Sequence, residues 1–299
     1  MRSRPLQQTL LRERLDELVA TFDISTIEPD PVQLVHRYTT PYDQEAAALI
    51  AAAFAYGRAD IVVRNAGAVL ELMEPGPHDY LMTFERAEAL TRFRGFAHRF
   101  HKAEDLVAFL ECLSRVVRQH GSIGALFRAC YDERDDDIGP SLVRFVGRVV
   151  PASGRPAGRR EGGTTRALHY LLSSPADGSA CKRMNLFLRW MVRRTSPDLG
   201  LWTFVDPAKL VIPLDTHVHR ITAFLGINGR KTADWKCARA VTDRLAKFDP
   251  ADPVRYDFAI CRLGILDLCS RKRRKENCDV CLLRDACRFP VRESKELKV

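Results

Sequence analysis

Along this chain of 299 residues, apolar side chains recur at three- and four-residue steps and almost nowhere at two-residue steps. That spacing lays a stripe along one face of a helix. The clearest runs are QEAAALIAAAFAY (44–56), ADIVVRNAGAVLELM (59–73), EDLVAFLECLSRVVRQH (104–120) and SLVRFVGRVV (141–150) in the first half. KRMNLFLRWMVRR (182–194), DTHVHRITAFLG (215–226), ADWKCARAVTDRLAKF (233–248) and PVRYDFAICRLGILDL (253–268) follow. The pattern predicts an all-α protein of about ten or more short helices. A chain of this length is near the limit of one hydrophobic core, so either one large domain or two helical lobes sharing a cleft is expected. The start, MRSRPLQQTLLRERLDELVATF, carries Leu11, Leu15, Leu18 and Phe22 at helical spacing and mixes acids with bases. It reads as an amphipathic helix, not a leader or membrane segment. No apolar run is long enough to span a bilayer, and no repeat of fixed period is present. PASGRPAGRREGG (151–163) is the one clear loop by composition, a linker or a phosphate-touching segment.

Charge and cysteine content narrow the picture. Lys and Arg number 47 against 38 Asp and Glu, a net charge of +9, which favours a polyanionic partner. Nine cysteines is an odd count in a chain with no export signal, so a disulfide framework is disfavoured and a cytosolic metal site favoured. Four of them, Cys269, Cys278, Cys281 and Cys287, form a C-x8-C-x2-C-x5-C cluster. Spacing alone leaves zinc, two disulfides or a redox-capable centre open. A four-cysteine zinc site more often shows two close pairs, whereas this cluster has one pair and two singles. Between its first two cysteines stand Arg271, Lys272, Arg273, Arg274 and Lys275. Such a run is usually a solvated surface, but pinned at both ends it becomes a fixed display of positive charge suited to phosphates. Cys261, eight residues earlier, reads as a core thiol.

Upstream, VIPLDTHVHRITAFLGI (211–227) places Pro213 shortly before Asp215 and an amphipathic run after it, a good helix start with Asp215 as cap. By itself this makes Asp215 a capping residue and His217 and His219 polar-face residues.

Taken with the cysteines, the segment resembles the helix-hairpin-helix-GPD superfamily of DNA glycosylases, in particular its endonuclease III branch. There a catalytic Asp in V-D-T-H-x-x-R opens a helix, and C-x6-C-x2-C-x5-C follows some fifty residues later. Here the segment is Leu214-Asp215-Thr216-His217-Val218-His219-Arg220, and only the first cysteine gap departs, by two residues. The resemblance implies a [4Fe-4S] cluster on Cys269, Cys278, Cys281 and Cys287, a basic loop touching the DNA backbone, and Asp215 as a catalytic carboxylate. LIAAAFAYGRADIVVRNAGAVL (49–70) is similar to the helix-turn-helix whose loop fills the space left by a flipped base. The family's Gln is missing, and Tyr56, Gly57 and Arg58 stand in that loop. The plain alternative is a Gly-containing turn. Bifunctional members carry a nucleophilic Lys after a glycine hairpin; Lys182, followed by Arg183, occupies that place. SPADGSAC replaces the usual L-P-G-V-G, so the hairpin is degenerate. The long interval from Lys182 to Asp215 is like that of the archaeal 8-oxoguanine glycosylases.

The resemblance thus implies a helical barrel over 41–204 and an iron–sulfur domain from 1–40 plus 205–299, in a bacterial subfamily of its own. It implies a monomer acting on double-stranded DNA, cytoplasmic and nucleoid-associated. Its activity would be removal of a damaged base, an oxidised one among the candidates, with AP lyase cleavage through Lys182. Phe187 and Trp190 on the Lys182 helix offer aromatic surface to such a base. The alternative is a noncatalytic iron–sulfur DNA- or RNA-binding protein on a decayed glycosylase scaffold. Residues 80–165 match nothing in the superfamily pattern.

Overall fold

The computed structural model of the chain describes residues 4–150, 163–272 and 274–289. The expected all-α architecture is present. In order, the helices are α1 (Arg4–Thr21), α2 (Pro41–Ala53), α3 (Ala59–Glu71), α4 (Pro77–Met82), α5 (Arg86–Arg92), α6 (Ala103–His120) and α7 (Ile123–Arg128). Then come α8 (Gly139–Val149), α9 (Gly163–Leu171), α10 (Lys182–Val192), α11 (Thr216–Phe224), α12 (Trp235–Leu245), α13 (Asp257–Ile265) and α14 (Lys275–Asp279). A 3-10 helix spans Pro31–Arg37, and the only sheet among the described residues is a hairpin of β1 (Ala97–His98) and β2 (His101–Lys102). The expected loop at 151–163 lies outside the described residues apart from Gly163, which opens α9.

Helix α2 sits at the centre because its sequence leaves it no polar face. Thr40 caps it by accepting from the Asp43 amide, Pro41 suits the first turn, and every residue from Glu45 to Ala53 is buried. Its run of alanines lets neighbouring backbones approach closely. Against it pack the Pro31–Arg37 helix and α10, whose residues Arg183 to Val192 are all buried. Phe187 and Trp190, expected to offer aromatic surface to a ligand, are instead fully enclosed, Phe187 standing edge-on to Trp202 at 5.2 Å. Apolar side chains on a helix surrounded by others become core.

Two arginines enter the interior from α10. Arg189 bonds Asp198 at 3.1 Å and Asp257 at 2.5 Å, and Arg193 bonds Asp198 and reaches Asp252 at 2.9 Å. The network joins α10 to the loop after it and to the start of α13. Buried charges at this depth persist only when paired. Among the described residues, no helix is long and apolar enough to cross a membrane.

Candidate active site and cysteine cluster

After α2 the chain turns through Ala55 and Gly57 into α3. Gly57 has φ of +95°, a region that side chains disfavour, and a Cβ there would come within 3.1 Å of the Arg99 guanidinium. The turn offers the Ala55 carbonyl to Lys182, whose Nζ donates to it at 3.0 Å. Lys182 opens α10 immediately after Cys181, which is held in the left-handed region at φ 49°.

Asp215 arrives from a different direction, at the end of an extended segment anchored by the Ile212 amide on Thr242 Oγ1 at 3.0 Å. It caps α11 as expected: Oδ1 accepts from the amides of His217 at 2.8 Å and Val218 at 2.7 Å. That leaves Oδ2 uncommitted to the helix, beside the Cys261 thiol at 3.5 Å. One oxygen is structural and the other faces a cleft.

Lys182 and Asp215 line the same cleft, about 720 Å³ in volume. Asp30, His217, Asp257 and Cys261 line it as well, with the exposed Arg58 and Arg99 on its outer part. Among the described lining residues there is no Phe, Tyr or Trp. Burial pushes the Asp257 carboxyl up to about 7, against the pull of Arg189. Burial likewise raises Asp30, opposed by Arg189, and lifts the Cys261 thiol well above its ordinary range, with Asp215 adding to the effect. Cys261 is therefore not a plain core thiol: it is half-buried, on the cleft wall, against the Asp215 carboxylate.

Tyr56 and Arg183 sit apart from this cleft. The Tyr56 hydroxyl is bonded to the His98 carbonyl at 3.2 Å and to His101 Nδ1, and its ring stacks with Phe100 at 5.7 Å. Arg183 is buried, donates to the Tyr170 carbonyl and lies over the Tyr170 ring at 4.0 Å. It lines a separate cavity of about 1120 Å³ with Phe100, His101 and Tyr170. Consecutive residues on a helix diverge by about 100°, which is why Lys182 and Arg183 face different spaces. Arg58 is exposed but paired with Asp60 at 2.7 Å.

Asp30, Arg99, Asp257 and Cys261 went unselected in the sequence. Asp257 and Cys261 did carry a signal: they stand four residues apart within an otherwise apolar stripe, so they share one helix face. Asp30 has the form of an ordinary cap before Pro31, accepting from the Val32 amide at 3.0 Å. Nothing local marks Arg99, whose place depends on the hairpin turn.

The four clustered cysteines surround a second space, about 270 Å³, closed by Phe224, Leu268 and Phe289. Burial pushes the Cys269 thiol up to about 11, and the other three cysteines add to the shift, so the four sulfurs sense one another. Among the described residues, no group of three or more His, Cys, Asp or Glu side chains is drawn together closely enough to hold a metal ion, so the sulfurs ring a space without converging on a point. Four cysteine sulfurs lining one space are a donor set that either an iron–sulfur cluster or a tetrahedral zinc ion takes. Between the first two cysteines, Arg271, Lys272, Arg274 and Lys275 are exposed, Arg274 being paired with Asp267 at 2.6 Å. Arg273 lies outside the described residues.

The fold and site define a helical protein with a buried ion network behind a Lys- and Asp-lined cleft. The chain belongs to the family described as protein of unknown function (DUF2400), whose sequence profile matches residues 30–266. The match takes in Asp30, Lys182, Asp215, Asp257 and Cys261 and ends before Cys269. No curated protein and no solved structure matches the chain.

Proposed function

We propose that this protein is a DNA glycosylase with AP lyase activity, on a helix-hairpin-helix-GPD scaffold, acting on a damaged base in double-stranded DNA. The observation that carries the reading is that Lys182 and Asp215, distant in sequence, line one cleft. The lining draws on both proposed lobes, with Ala55, Arg58 and Lys182 from 41–204 and Asp30, Asp215 and Cys261 from 1–40 plus 205–299. In this reading α9, the turn through Gly178 and α10 form the hairpin unit, with Gly178 in the left-handed conformation that such a turn needs.

The base is taken out of the stack at a cost of a few kcal/mol, least for a damaged or mispaired base. Asp215 Oδ2 meets the positive charge that develops on the sugar as the glycosidic bond breaks. Lys182, as a neutral amine, attacks the same carbon, and the resulting Schiff base permits strand cleavage by β-elimination. Arg58 and Arg99 beside the cleft, and Arg271, Lys272 and Lys275 further out, meet phosphates. Tyr56 is committed to the hairpin, so Gly57 and Arg58 are the parts of that turn left to contact DNA. Cys269, Cys278, Cys281 and Cys287 hold a [4Fe-4S] cluster, which when bound gives the C-terminal segment a rigid core. The protein works as a monomer in the nucleoid.

The test is a panel of duplexes, each with one damaged base, scored for base release and for borohydride trapping of the Schiff base. Asp215→Asn keeps a capping oxygen but removes the charge, so base release falls by about 10²–10³ with folding and DNA binding retained. Lys182→Gln abolishes trapping. Trapping that survives in that variant assigns the nucleophile to another amine. Wild-type protein that releases no base from any duplex yet binds DNA favours the noncatalytic nucleic-acid-binding reading.

A further inference from the structure

We infer that Asp257 is the proton donor that lets the base leave: its Oδ1 passes a proton to the everted base as the glycosidic bond breaks. The inference rests on the glycosylase reading and assigns a role that neither Lys182 nor Asp215 can fill. Lys182 must be unprotonated to attack, and Asp215 must be charged to stabilise the sugar.

Three features of the site point to it. Asp257 is only 2% exposed, yet it lines the cleft shared by Lys182 and Asp215. Its Oδ2 is held by Arg189 Nη1 at 2.5 Å, while its Oδ1 has no hydrogen-bond partner. Arg189 Nη2 has none either, and both atoms have almost no accessible surface, so a small turn of the Asp257 side chain toward the cleft brings Oδ1 to a ligand. A buried carboxyl oxygen without a partner is expensive unless something fills the place, and the cleft is where a ligand enters.

The charges around Asp257 explain why it can hold a proton. Arg189 is its direct counter-ion, but the same guanidinium bonds Asp198, which is fully buried, and also senses Asp30. One cation is thus divided among several carboxyls, and Asp257 receives less than a full counter-charge. Asp215, from the turn before α11, opposes ionisation further. Lys182, from the start of α10, favours it while it carries its proton, and Cys261 on the same helix as Asp257 is a half-buried thiol that burial raises well above its ordinary range. With burial as the largest influence, the carboxyl titrates at about 7, where a general acid is most useful.

The balance of the step is simple. The electron pair of the broken carbon–nitrogen bond stays with the base, which takes the proton from Asp257 Oδ1 and departs neutral. Asp257 remains as a carboxylate paired with Arg189, and is reprotonated from water once the base has gone. The sugar carbon, bearing positive charge against Asp215, is captured by the Lys182 amine, whose nitrogen then gives a proton to the ring oxygen as the carbon–oxygen bond opens, leaving a protonated Schiff base. Such a device serves bases that leave poorly as anions and carry a basic ring atom to receive the proton.

The experiment uses the full-length, cluster-containing protein on two substrates: the duplex from which the damaged-base panel shows release, and the same duplex with a preformed abasic site, which has no base to protonate. Asp257→Asn is expected to slow single-turnover base release at least about 100-fold more than it slows cleavage and trapping at the abasic site. In wild-type protein, base release should fall as the pH rises above about 7, while abasic-site trapping should not share that fall. Equal slowing of both reactions makes Asp257 a structural member of the Arg189 network and overturns the proposal. Should the variant not fold, a wild-type release profile that is flat across this range overturns it equally. Absence of both base release and trapping in wild-type protein defeats the glycosylase reading itself, a result distinct from either.

Discussion

Arg220 donates from Nη2 to the backbone carbonyl of Cys269 at 2.6 Å, fastening the helix headed by Asp215 to the first of the four clustered cysteines. Two motifs far apart in sequence are therefore one mechanical unit, and the cysteine segment holds the Asp215 helix in register. Removing this charge-assisted bond in Arg220→Ala should cost about 1.5–3 kcal/mol. Chemical denaturation measures the loss, and limited proteolysis beyond Cys269 should quicken in parallel. An unchanged denaturation midpoint would show that the bond is decorative.

The cysteine ring makes a claim about composition. Protein purified without air should be yellow-brown and contain about four irons per chain. Cys278→Ser or Cys281→Ser should lose the colour and the iron together. A colourless protein with one zinc per chain is the result that refutes it.

Salt dependence separates the basic loop from the cleft. Replacing Arg271, Lys272 and Lys275 by Gln should weaken binding to damaged and undamaged duplex alike, and should reduce the slope of log affinity against log salt by about 0.9 per lost phosphate contact. A variant that loses lesion preference but keeps its slope would make the loop a reader of the lesion instead.

The hairpin carries a pH-sensitive contact. His98 and His101 are each 1% exposed, and burial holds both below the ordinary 6.5. Asn65 Nδ2 donates to His98 Nδ1 at 3.1 Å, the Tyr56 carbonyl takes its Nε2 at 3.2 Å, and the Tyr56 hydroxyl meets His101. A histidine harder to protonate when folded gives stability that is complete above 6.5 and is lost as pH falls below it. Asp30 and Asp257, raised by burial, act in the opposite sense at mildly acidic pH, so the informative quantity is a difference. The melting-temperature gap between wild type and His101→Phe should narrow from pH 7.5 to about 5.5. A gap of constant size would mean that His101 does not titrate with folding.

What could be read from the sequence followed the strength of its local patterns. The long amphipathic runs gave helices close to where they stand: 104–120 became Ala103–His120, and 59–73 became Ala59–Glu71. Short helices such as Pro77–Met82 and Ile123–Arg128 went unread because six residues complete less than two turns and show no period. Asp215 was legible because capping is a local act, and the cysteines because their spacing is. Asp257 was marked only by its four-residue spacing from Cys261, since its environment is made by Arg189 on another helix. Tyr56 was read only in part: its turn was visible, but its engagement by His98 and His101 arises from a hairpin whose two strands are each only two residues long.

The buried network of Arg189, Arg193, Asp198, Asp252 and Asp257 also governs how the cleft can move. It ties the helix bearing Lys182 to the helix bearing Cys261 through bonds that are almost wholly out of water. Prising those helices apart would strand unpaired charges in the interior, at several kcal/mol for each broken pair. The α10 and α13 walls of the cleft are therefore fixed relative to one another. On the glycosylase reading, the work of deformation at those two walls falls on the DNA, whose base must be unstacked and turned outward to reach them.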